Sequence, residues 1–128
     1  MSKYQDRAME LRHDPTFHYN CAQAILMPFS EKLGLTEAQA QDLGSLFAGG
    51  MYCGATCGAI TGALMVLGLA GQKDPAGRDL VARFEARYGA RDCAPLIAKA
   101  KEQGGDTHEF CNAMIREAIA MVEETLGE

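Results

Sequence analysis

Apolar residues return every three or four positions along most of this chain, and no stretch alternates as a strand with hairpin turns would. The last segment shows it best: Phe110, Cys111, Met114, Ile115, Ala118, Ile119 and Val122 fall on one helical stripe. A second stripe, Cys21, Ile25, Leu26, Phe29 and Leu33, predicts a helix starting at about Phe17 or Asn20 and closed by Gly34. Pro28 should bend it, because proline has no N–H to give the ladder. Ser2 to Arg12 reads as a first, weakly amphipathic helix that stops at Asp14-Pro15. Thr36 and Gln39 form a capping-box pattern opening a helix toward Phe47. Asp74-Pro75 opens another that closes at Gly89. Asp92 caps a short helix from Cys93 to about Gln103, and after Gly104-Gly105 the last helix is capped by Asp106 or Thr107.

The segment Cys57 to Gly71, CGAITGALMVLGLAG, has no charge. It falls short of the roughly 20 apolar residues a membrane span needs, and reads as a buried central helix. Gly58 and Gly62, four apart, would let another helix come close to its backbone. Of the 128 residues 48% are hydrophobic, enough for a core without disulfide staples. The expectation is an all-α fold: one domain over residues 1–128, a compact bundle of about five to seven helices around the glycine-rich central one.

A net charge of -5 argues against a nucleic-acid partner, and Arg83, Arg87 and Arg91 are interleaved with Glu85 and Asp92 as on a solvated helix face. The polar start, Met1 to Arg12, has no apolar signal core, so the expected compartment is cytoplasmic, without membrane insertion. Structural disulfides are rare there. The five cysteines therefore point to metal binding, thiol chemistry or simple burial.

Three of them share a setting: Asn20 precedes Cys21, Thr56 precedes Cys57 and Asp92 precedes Cys93. If each preceding residue caps a helix, each cysteine lies in a first turn, where unpaired N–H groups and the helix dipole favour a thiolate. Such a thiolate could bind a metal or attack a disulfide. These three cysteines are evenly spaced, but their flanks NCAQAI, TCGAIT and DCAPLI do not match as a repeat. Cys53 and Cys57 make a CxxxC, a weak metal signal. His18 and His108 each stand three residues before a cysteine, Cys21 and Cys111, and on a continuous helix would share its face as ligands or proton partners; a surface or capping histidine is the plainer reading. His13 reads as exposed.

The run Cys57-Gly58-Ala59-Ile60-Thr61-Gly62, a CGAxxG, lies between Cys21 before it and Cys93 and Cys111 after it. With the Asn20-Cys21-Ala22 start, Gly49-Gly50-Met51 and Gly62-Ala63-Leu64, the chain from about Phe17 to Leu126 resembles the C_GCAxxG_C_C family, which is named for redox activity. The resemblance implies a small helical redox protein whose family cysteines are Cys21, Cys57, Cys93 and Cys111; Cys53 stands outside the pattern. Related domains occur beside c-type haem domains in larger electron-transfer proteins. No CxxCH is present, so this chain is not itself a cytochrome.

Two chemistries follow. Four thiolates suffice for a [2Fe–2S] or [4Fe–4S] cluster, or for tetrahedral zinc, giving an electron carrier served by a redox partner protein. Alternatively no cofactor is bound, and Cys57 attacks a disulfide or peroxide with a nearby cysteine resolving it. The final helix is also a candidate for pairing with a second copy in a homodimer. No HExxH or Ser-His-Asp arrangement suggests a hydrolase, and Glu123 and Glu124 read as a solvated helix end.

Overall fold

Seven α-helices make up the fold in the computed structural model, which describes residues 1–128. They are α1 Lys3–Arg12, α2 Cys21–Leu26, α3 Glu37–Gly44, α4 Gly58–Leu69, α5 Asp74–Tyr88, α6 Cys93–Glu102 and α7 Thr107–Leu126. The protein is an all-α bundle. Its one extended contact is an isolated antiparallel bridge between Thr56 and Asp92. No helix is long and apolar enough to cross a membrane.

Side chains fix where several helices begin. Ser2 with Gln5, Asn20 with Gln23, and Thr36 with Gln39 each form a reciprocal capping box, in which two N–H groups that lack helical partners are satisfied at once. Asp106 caps α7 by accepting from the His108 N–H. Gly89 and Gly127 close α5 and α7 in the left-handed conformation. The helix expected to reach Leu33 is shorter: α2 ends at Leu26 and passes into a 3-10 turn, Met27–Phe29, because Pro28 removes a ladder donor. The α3 helix stops at Gly44, short of Phe47, and α5 begins on Asp74 itself, with Lys73 as the cap.

The core is one apolar cluster in which Ile25, Phe29, Ile60, Val66, Phe84, Leu96, Ile115 and Ile119 are all but excluded from solvent. Tyr4 stacks on Phe29 with ring centres 4.1 Å apart. At the centre α4 lies against α2, α5 and α7. The Gly58/Gly62 pair is the reason α2 can come so close. A Cβ on Gly62 would stand 2.9 Å from both the Ala22 carbonyl oxygen and Ile25 Cβ; one on Gly58 would stand 3.0 Å from the Ala22 nitrogen and from Cys21 Cβ. The far end of α4 emerges, with Leu69 exposed. The apolar stripe of α7 packs inside the chain, where α7 lies against α1, α2, α4, α5 and α6.

Candidate functional site

The close approach of α2 and α4 places Cys21, the first residue of α2, against the start of α4, where Cys57 stands. The Thr56–Asp92 bridge brings in the next cysteine: the Cys57 N–H donates to the Arg91 carbonyl at 2.8 Å, and the Cys93 N–H to the Ala55 carbonyl at 2.6 Å. Cys111 comes from the second turn of α7. All four line a single cavity of about 30 Å³, closed by Phe47, Leu96, Ile97 and Met114 and by the backbone of Gly49 and Gly50. That volume takes roughly two water-sized bodies, which excludes an organic substrate from the interior. On one side a surface groove reaches Cys21, Cys93 and Cys111 past Arg12, Phe17 and His18.

Only one of the three expected caps forms as read. Asn20 caps α2, but Thr56 is in the bridge and the cap of α4 is Cys57 itself. Asp92 occupies the cap position of α6 without a side-chain bond. The expected depression of these three thiols does not follow. Burial pushes Cys57 up to about 11, partly offset by the Ala59 and Ile60 N–H groups at the start of α4. Burial also raises Cys93. Cys21 is raised well above the ordinary thiol range, first because its S–H donates to Cys111 and then by burial. The thiol that is depressed is Cys111, to about 7, by that same hydrogen bond, with the charge of Arg12 adding to it. Low basicity has therefore gone to the cysteine that no helix start favours.

Cys53 is exposed, outside the cavity, with its sulfur 3.5 Å from the Gly50 carbonyl oxygen. His18 precedes the α2 cap, so it shares no helical face with Cys21. His108 turns to Arg12, its Nδ1 3.3 Å from the guanidinium, with the His18 ring centre 6.0 Å from its own. His13 is exposed and lies 3.8 Å from Glu109.

Three features of the site escape a reading of the sequence. One is the bridge. Another is a left-handed turn at Gly49, Gly50, Met51 and Tyr52, whose φ values lie between 59° and 63°. Two of its residues are not glycine, a costly conformation of the kind that collects at functional sites. The third is Arg12. Its signal was present: Tyr4, Ala8 and Arg12 make one stripe at four-residue spacing, and a charge on a buried stripe marks a role.

In kind and number the donors match a four-thiolate metal or cluster site. Their spacing is not closed to ligation: no three Cys, His, Asp or Glu side chains converge tightly enough to hold a metal ion as they stand.

Fold and site together describe a small helical protein in which four cysteines, one buried and three partly exposed, line one cavity. Residues 19–125 match the family described as "Putative redox-active protein (C_GCAxxG_C_C)", and the chain belongs to that family. No curated protein and no solved structure matches the chain.

Proposed function

We propose that the four-cysteine cavity is an electron-transfer centre in which Cys21, Cys57, Cys93 and Cys111 hold an iron–sulfur cluster as thiolates. The observation that carries this is their convergence: four cysteines from separate parts of the chain line one small, mostly apolar cavity. The bound group would supply one-electron chemistry. The chain's own part is to surround it and limit bulk water with Phe47, Leu96 and Met114. Zinc would fit the same donors but would not change oxidation state.

A second reading rests on the Cys21–Cys111 contact. Here the Cys111 thiolate attacks one sulfur of a disulfide, forming a mixed disulfide and releasing the other half as a thiolate. Cys21 then attacks the Cys111 sulfur, closing Cys21–Cys111, and its proton leaves with the second thiolate. The substrate disulfide is reduced by two electrons and the pair is oxidised by two. In this chemistry the attacking role goes to Cys111, since Cys57 is 3% exposed and held protonated.

Anaerobic incubation of the reduced protein with iron and sulfide separates the two. Visible absorption with stoichiometric iron and sulfide, lost in Cys57→Ser and Cys93→Ser, supports the cluster. A folded protein that stays colourless and metal-free overturns it, and the dithiol reading then requires a Cys21–Cys111 disulfide on mild oxidation.

A further inference from the structure

Arg12 is 8% exposed, at the end of α1, and its guanidinium is held by a side-chain amide, a backbone carbonyl and an imidazole. Its Nε donates to Asn112 Oδ1 at 2.8 Å, one terminal nitrogen donates to the Tyr19 carbonyl at 2.7 Å, and the other lies 3.3 Å from His108 Nδ1. No carboxylate comes within ion-pair distance, in a chain with 17 acidic residues. A buried cation without a partner is expensive, so its counter-charge has to be sought nearby. Arg12 lines the groove that reaches Cys21, Cys93 and Cys111, and its field is felt at both Cys21 and Cys111.

We infer that Arg12 is the fixed counter-charge of the cysteine centre, a positioning residue that stabilises the negative charge gained on reduction. This rests on the redox reading above and holds for either chemistry. A cluster gains one electron. A Cys21–Cys111 disulfide takes two electrons from the redox partner and one proton, breaking the S–S bond and leaving Cys21 as thiol and Cys111 as thiolate. In both, the reduced state carries one more negative charge close to the guanidinium, so Arg12 raises the reduction potential.

The test is a reductive titration of the anaerobic protein, with the midpoint potential as readout. Arg12→Gln removes the charge and should lower the reduction equilibrium by about tenfold, which is 59 mV for a one-electron couple and 29.6 mV for a two-electron one. Arg12→Lys keeps the charge and should stay near wild type. Asn112→Asp keeps the guanidinium and its Nε hydrogen bond but neutralises it, and should lower the potential as Arg12→Gln does; it also serves if Arg12→Gln fails to fold. Equal potentials in wild type, Arg12→Gln and Asn112→Asp overturn the inference. So does an equal drop in Arg12→Lys and Arg12→Gln, which would make the role one of hydrogen bonding. A wild-type protein with no measurable couple overturns the redox reading and this inference together, whereas a couple indifferent to Arg12 overturns this inference alone.

Discussion

Thr56 and Asp92 face each other in an antiparallel bridge, and this one contact holds Cys57 and Cys93 on the same cavity wall. The residues that would cap α4 and α6 instead tie the two helix starts together. The backbone groups of Ala55, Cys57, Arg91 and Cys93 make the tie, so side-chain chemistry at Thr56 and Asp92 matters little to it.

Gly54 is the point at which this tie is vulnerable. Its φ is +70°, and a Cβ there would stand 2.8 Å from Ala94 Cβ on α6. Gly54→Ala should cost about 1–2 kcal/mol through the left-handed backbone alone, and should also push α6 and Cys93 away from the cavity. Urea unfolding measures the first effect, and iron uptake under anaerobic iron and sulfide the second. Stability and iron uptake both at wild-type level would refute the account.

The glycines of α4 should separate by what faces them. Gly62→Ala forces a methyl onto the Ala22 carbonyl and should destabilise by about 1–3 kcal/mol, the usual cost of overpacking. Gly68 lies on the same helix with nothing within 4 Å, and Gly68→Ala should stabilise by about 0.5–1 kcal/mol through helix propensity. Thermal unfolding of the two variants should therefore move in opposite directions. Two shifts of the same sign would mean that the α2–α4 approach is not what these glycines serve.

What could be read from the chain and what could not divide along a physical line. Helical periodicity, caps and glycine stops are local, so the all-α class, the cap at Asn20, the capping box at Thr36, and the packing role of Gly58 and Gly62 were visible in the residues themselves. The cysteine set was visible too, through its resemblance to a family. The pairing of Thr56 with Asp92 is a long-range backbone contact, and good cap residues look the same whether they cap or bridge. Met51 and Tyr52 carry no residue-type signal for positive φ. The thiol order was missed because burial outweighs the helix start at Cys57, and because a partner thiol, placed by the fold alone, decides the state of Cys111.

Alkylation reads that order directly. Cys53 is exposed and would mask the others, so a Cys53→Ser background is used. In the reduced, metal-free protein, iodoacetamide should modify Cys111 first among the four, with a rate midpoint at about pH 7. Cys21→Ala removes the hydrogen-bond donor and should move that midpoint upward. Uniform labelling of the four cysteines, or a midpoint that ignores Cys21→Ala, would count against the Cys21–Cys111 pairing.

The same shifts set how the stability of the metal-free, reduced protein varies with pH. Unfolded, Cys57 is an ordinary thiol with a value of 9.0; folded, it keeps its proton up to about 11. Between those limits the unfolded chain gives up a proton that the folded chain retains, so raising the pH favours unfolding. The contribution of Cys57 is complete below pH 9 and lost as pH rises through 11, and Cys21 and Cys93 act in the same direction. Cys111 acts in the opposite direction: its contribution is present above 9 and lost as pH falls through about 7. Urea midpoints should rise from pH 7 toward 9 and fall beyond it. Cys57→Ala will be less stable throughout because it leaves a cavity, so the informative quantity is slope: its decline between pH 9 and 11 should be shallower than in wild type, and the rise below 9 should flatten in Cys111→Ala. Parallel curves for wild type and Cys57→Ala above pH 9 would show that burial does not hold that proton.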